Sequence, residues 1–156
     1  MGKRLSFVFT IFVLTMILCG CQQESQTQPQ QSNPKQPYPT EVAIKNGDVV
    51  NFHGKLSNLD QFEKFIENAS RGAKDEIRIT MYTVEGDPVF YQLVNDGNNI
   101  QYTYDDSQDG YAGSGRGIQS TTCTHIASEN IVDAVVYTLI GCSSEVGDSF
   151  YFRIPK

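Results

Sequence analysis

A chain of 156 residues with 12 Lys and Arg against 18 Asp and Glu carries a formal charge of −6 at pH 7. The imbalance is local: Glu41 to Arg78 holds seven acids and six bases, whereas Ile79 to Lys156 holds ten acids and three bases. Phosphate backbones require a basic face, so nucleic acid is excluded as a partner, and direct binding of anionic lipid or wall polymer would need bridging cations.

Lys3 and Arg4 open the chain, and Leu5 to Leu18 is apolar apart from Ser6, Thr10 and Thr15. A positive start before a short apolar run predicts a secretory signal, and the run falls short of the roughly 20 residues of a membrane span. Leu18-Cys19-Gly20-Cys21 resembles the lipobox of bacterial lipoprotein signals: apolar at −3, small at −2 and −1, then a cysteine. The resemblance implies cleavage after Gly20 and a thioether-linked diacylglycerol on Cys21. Two or three acyl chains anchor stably where one does not. Gln22 to Thr40 is Gln, Ser, Thr, Asn and Pro with almost nothing apolar, the composition of a disordered, partly extended spacer. The expected organisation is a signal peptide over 1–20, a lipidated cysteine and tether over 21–40, and one globular domain over 41–156.

Within that domain Asp48 to Phe52 reads as a short strand broken by Gly54. Ser57 and Asp60 resemble a capping box. Leu59, Phe62, Phe65, Ile66 and Ala69 follow at helical spacing until Gly72. Glu76 to Val84 alternates as a strand, Glu85-Gly86-Asp87-Pro88 turns, and Val89 to Asn95 and Asn99 to Asp105 form strands around the tight-hairpin dipeptide Asp96-Gly97. Asp106 to Gly117 is a long polar loop, and Ile118 to Ala127, Ala134 to Cys142 and Ser149 to Pro155 are further strands. The expected fold class is α+β: one N-terminal helix packed on a mostly antiparallel meander of about five or six strands.

With Cys19 lost in the signal and Cys21 lipidated, Cys123 and Cys142 remain, and in an exported domain a lone pair predicts a disulfide. Were they directly opposite in one hairpin, Ile131 would face Ala134 with Val132-Asp133 at the tip. The turn signal Ser128-Glu129-Asn130 argues instead for a wider, irregular connection over Ser128 to Asp133, which is the expected form. The two Cα atoms should lie roughly 4.4–6.8 Å apart.

Val49-Val50-Asn51-Phe52-His53-Gly54, Arg78-Ile79-Thr80-Met81-Tyr82-Thr83, Glu85-Gly86-Asp87-Pro88, Tyr102-Thr103-Tyr104-Asp105, Thr122-Cys123 and Gly141-Cys142 resemble, in order and spacing, a family of small lipoproteins from spore-forming Gram-positive bacteria. The family is catalogued as domain of unknown function 4362. The resemblance implies anchoring at the outer face of the cytoplasmic membrane and transfers no catalytic residue.

Four groups of residues carry candidate chemistry. Asp105 to Gly110 imitates the first half of a calcium loop, with Asp105 and Asp109 as ligand candidates, but position twelve of such a loop falls on Arg116. A solvated hairpin loop is the more economical reading, and no metal or other cofactor is expected. Gly113 to Gly117 lacks the strand, helix and Lys of a phosphate cradle. His53 and His125 have no second ligand at zinc spacing. Tyr82, Tyr102 and Tyr104 sit on predicted strands, where they would either pair across the sheet or line a binding surface. The functional expectation is a non-catalytic binding or interaction module for an envelope protein or a small ligand. The alternatives are a hydrolase acting on envelope material through His53, His125, Asp105 or Asp109, and a calcium-dependent structural domain.

Overall fold

The computed structural model describes residues 38–156. Helix α1 (Thr40–Lys45) leads into β1 (Val49–Phe52) and β2 (Lys55–Ser57), followed by helix α2 (Leu59–Ser70), β3 (Asp75–Tyr82), β4 (Pro88–Asn95) and β5 (Ile100–Asp105). Then come β6 (Ile118–Cys123), β7 (His125–Asn130), β8 (Ala134–Ile140), a 3-10 helix (Glu145–Ser149) and β9 (Tyr151–Pro155). The strands form two sheets, one of six in the order β2-β1-β3-β4-β5-β6 and one of three in the order β7-β8-β9.

This overturns the expected α+β meander with a single N-terminal helix on its face. The domain is mostly β, with two sheets, a six-residue helix and one of twelve residues. The decisive departure lies at Thr124. The alternation from Ile118 to Ala127 reads as one strand, but the pairing partner changes within it. Ile100 pairs with Cys123 at the end of the first sheet, and from His125 onward the partner is β8, beginning at Ile140. Both halves alternate, so the pattern of side chains does not reveal the corner. The Thr124 amide and hydroxyl both donate to the Ile140 carbonyl, at 2.9 and 2.8 Å, and fix the bend.

A second departure is that β1 runs parallel to β3, with Val49 opposite Ile79 and Phe52 opposite Tyr82. Parallel neighbours need a crossover, here supplied by β2 and α2. The β1–β2 turn uses His53 and Gly54, both at positive φ (51° and 87°), the backbone of a two-residue type I′ hairpin.

Helix α2 buries Phe62 and Phe65 completely. Each is worth about 1.5–3 kcal/mol of burial. The Phe62 ring lies 4.8 Å from that of Tyr137 and 4.7 Å from that of Phe152, both on the small sheet, while Val49, Ile79 and Leu93 of the large sheet join the same core. The Ser57–Asp60 capping box is not formed. The N-cap is Asn58, in the left-handed region (φ 55°), and its amide group donates to the carbonyls of Ile44 and Asp48 at 2.9 and 2.8 Å. The last turn of α1 is thereby tied to the start of α2.

Cys123 and Cys142 are disulfide-bonded. Their hairpin takes the tight register, not the wider connection expected: Asn130 pairs with Val135, the Ile131 amide donates to Ala134, and Val132-Asp133 forms the tip. Ser128-Glu129-Asn130 is strand, paired with Tyr137, Val136 and Val135. The ladder continues past the corner, where the Ser143 amide donates to Thr122 at 2.9 Å. The bridge therefore links two directly opposed positions where the sheets meet, and its Cα atoms are 3.9 Å apart, closer than the expected range.

Candidate functional site

Register places Tyr91 opposite Tyr104 and Leu93 opposite Tyr102 on the core side of the large sheet. Tyr102 is fully buried, and its hydroxyl shares a hydrogen bond of 3.0 Å with Ser149, which in turn donates to the Val146 carbonyl at 2.7 Å. The phenol thus holds the 3-10 helix against the sheet. Burial pushes the Tyr102 pKa up, and burial followed by the neighbouring Tyr104 pushes Tyr91 up to about 12. Tyr104 stands at the rim of this aromatic row, half-buried. Its pKa is raised first by desolvation, then by the charges of Asp106 and Asp109. Asp106 is itself buried and accepts the Gly117 amide at 2.6 Å. Tyr104, its cross-strand partner Gln119, and Ser144, Glu145, Val146 and Ser149 line a groove of about 650 Å³.

The opposite face of the large sheet is organised by a residue that sequence reasoning did not single out. Asp48 is buried. One carboxylate oxygen accepts Arg78 Nε at 3.0 Å and Nη2 at 2.9 Å, and the other accepts the Thr80 hydroxyl at 2.7 Å. The Arg78 guanidinium also donates to the Tyr38 hydroxyl at 2.7 Å and lies over the Tyr38 and Phe90 rings. Desolvation lowers the Arg78 pKa, but the hydrogen bond and charge of Asp48 outweigh it, and the net direction is up. Tyr82 belongs to this face, where its hydroxyl donates to the Tyr38 carbonyl at 2.7 Å. These contacts fasten the first described residues across β1, β3 and β4. They make a structural clasp in which the charged groups already satisfy one another.

The remaining candidates are not brought together. His53 occupies the β1–β2 turn, edge-on to Phe52, and His125 begins β7 with Nδ1 3.0 Å from the Thr124 hydroxyl. Strands β3, β4 and β5 separate the strands that lead to them. Asp105 accepts the Ser107 amide and Asp109 the Tyr111 amide, at 2.9 and 2.8 Å, so both carboxylates close local turns of their own loop. Among the described residues no group of three or more His, Cys, Asp or Glu is arranged to hold a metal ion, and no helix is long and apolar enough to cross a membrane. Cys21, the signal and the tether up to residue 37 lie outside the described residues.

A two-sheet β domain with a disulfide at its corner and an aromatic-rimmed groove is the class that these features define. The family model for a domain of unknown function (DUF4362) matches residues 46–138, and the chain belongs to that family. The matched stretch contains Asp48, Arg78, Tyr104, Gln119 and Cys123, and ends before Cys142 and the 3-10 helix. No curated protein and no solved structure matches the chain.

Proposed function

We propose that this chain is a small Gram-positive lipoprotein, anchored through acyl chains on Cys21 at the outer face of the cytoplasmic membrane, whose tethered domain is a non-catalytic module that binds an envelope component. The observation that carries the binding reading is the groove beside Tyr104. It is concave, of a size within the roughly 300–1,000 Å³ of small-ligand sites, and mixes an aromatic rim with a few polar side chains. Support for export comes from the lipobox-like Leu18-Cys19-Gly20-Cys21 and from the Cys123–Cys142 bridge, since stable disulfides belong to oxidising compartments.

Two arms test the reading. Metabolic labelling with a fatty-acid analogue should mark the wild-type chain in membranes, and Cys21→Ala should lose the label and leave the membrane fraction. Persistent labelling of that variant refutes the anchor. Capture from envelope extract on the immobilised full chain should retain a component that Tyr104→Ala fails to retain. Equal capture by the two chains refutes the groove as the binding site.

A further inference from the structure

We propose that the groove beside Tyr104 binds a neutral hexopyranose unit of a glycan. The inference rests on the binding-module reading and names its ligand class. The lining residues are Tyr104, Gln119, Ser144, Glu145, Val146 and Ser149, with no Lys or Arg among them. Glu145 lies in the wall, and Asp106 and Asp109 are close enough to act on the Tyr104 phenol. Within the lining itself an anionic ligand would meet only the like charge of Glu145, and Arg116, the nearby base, is turned to the Asp109 carbonyl at 3.1 Å. A purely apolar ligand would strand the carboxylate of Glu145 and the amide oxygen of Gln119, whose NH2 group alone has a partner, the Gly115 carbonyl at 3.3 Å.

A pyranose answers both constraints. One of its faces is a patch of C–H groups, weakly positive and apolar, which suits the negative face of an aromatic ring. Tyr104 offers such a ring at the rim, and Val146 extends the apolar surface. The edge of a pyranose is a ring of hydroxyls, each both donor and acceptor. The Gln119 amide, the Glu145 carboxylate and the Ser144 hydroxyl complement that edge with donors and acceptors of both kinds. Among the described residues neither the Glu145 carboxylate nor the Ser144 hydroxyl has a hydrogen-bond partner, so both are available to a ligand.

Part of the wall is already set. Ser149 is held between the Tyr102 hydroxyl and the Val146 carbonyl, and the Tyr104 ring packs at 5.8 Å from that of Tyr91. Binding must still order the exposed Gln119 and Glu145 side chains. A cationic peptide would also tolerate the acids nearby, but Glu145 is the only ionised side chain in the lining itself, which favours a neutral ligand.

The test uses the full chain purified in a zwitterionic detergent without sugar head groups. The probes are oligomers of N-acetylglucosamine, maltotetraose and oligolysine. Saturation-transfer NMR should show transfer to pyranose ring C–H protons from at least one of the two saccharides. Tyr104→Ala should weaken that binding by about tenfold or more, Tyr104→Phe by less than about threefold, and Gln119→Ala by about three- to tenfold. Tyr151→Ala, an exposed aromatic on β9, should leave it unchanged. Near-UV circular dichroism reports whether Tyr104→Ala is folded; if it is not, Gln119→Ala and Tyr104→Phe decide the matter. No transfer from either saccharide, tighter binding of oligolysine, or wild-type affinity in Gln119→Ala or in a folded Tyr104→Ala overturns the assignment. Capture of an envelope component that depends on Tyr104, yet is not competed by saccharide, would refute the sugar class and leave the binding module standing.

Discussion

Gly147 is buried against the disulfide, and a Cβ at that position would overlap the Cβ and Sγ of Cys142 and approach Cys123 Sγ at 3.5 Å. Its backbone needs no left-handed φ, so the requirement is for space alone. Gly147→Ala should therefore cost about 1–3 kcal/mol through overpacking, read as a lower urea midpoint at unchanged slope. An unchanged midpoint would mean that the 3-10 helix has room to shift. The role of this glycine is invisible in Glu145-Val146-Gly147-Asp148, which reads as an ordinary polar turn. Asp48 was hidden for a related reason. Its partners Arg78 and Thr80 lie 30 and 32 residues away, and on an alternating strand Arg78 looks like one more residue on a solvated face. Tyr102 and Tyr104 were legible as same-face neighbours on one strand. Which of them is sealed inside and which stands at a rim depends on where the 3-10 helix lands.

At the level of elements, the strands flanked by strong turn chemistry were the legible ones. Pro88 after Gly86-Asp87, and Gly97 at φ 98° beside Asp96, delimit β4 and separate it from β5 much as the turn residues predict. Helix α2 was legible from its Phe62 and Phe65 spacing, though its cap was not, because Asn58 bonds to α1 and not to its own helix. Helix α1 went unread at the start of the predicted domain, since among its residues only Ala43 is buried and six residues are too few for an amphipathic period to accumulate. The β7–β8 hairpin turns at Val132-Asp133, a dipeptide without Gly or Asn, so its register follows from pairing and from the bridge at the corner. That bridge closes a sequence separation of 19 residues, a loop whose closure restricts the unfolded chain by about 3 kcal/mol in the entropy model. The Cys123→Ser, Cys142→Ser double variant should lose stability of that order in urea, with the loss reproduced by a reductant on the wild type. A loss well under 1 kcal/mol would mean that the Thr124 and Ser143 hydrogen bonds hold the corner unaided.

Across the whole domain the tyrosines couple stability to alkaline pH. Tyr91 and Tyr102 share the core with Phe150, whose ring centroid lies 5.9 and 5.5 Å from theirs, and Tyr82 and Tyr104 are also displaced upward from the ordinary phenol value. In the unfolded chain all four ionise near pH 10. In the folded chain burial keeps the proton on, to about 12 for Tyr91, and displaces Tyr102 in the same direction. Between those limits the folded state binds more protons than the unfolded state, so stability falls as pH rises, and the contribution is fully present below pH 10. A displacement of about two units corresponds to about 2–3 kcal/mol for Tyr91 alone, set against a total of about 5–15 kcal/mol for a domain of this kind. Urea stability should therefore hold level from pH 7 to 9 and fall steeply between about pH 10 and 12. Among the described residues the Tyr91 hydroxyl makes no hydrogen bond, so Tyr91→Phe keeps the ring and removes only the titrating group. That variant should match the wild type at pH 8 and be more stable than it by about 2–3 kcal/mol at pH 12. Parallel curves for the two proteins would show that the solvent contact left to the Tyr91 hydroxyl is enough to cancel the effect of burial on its titration.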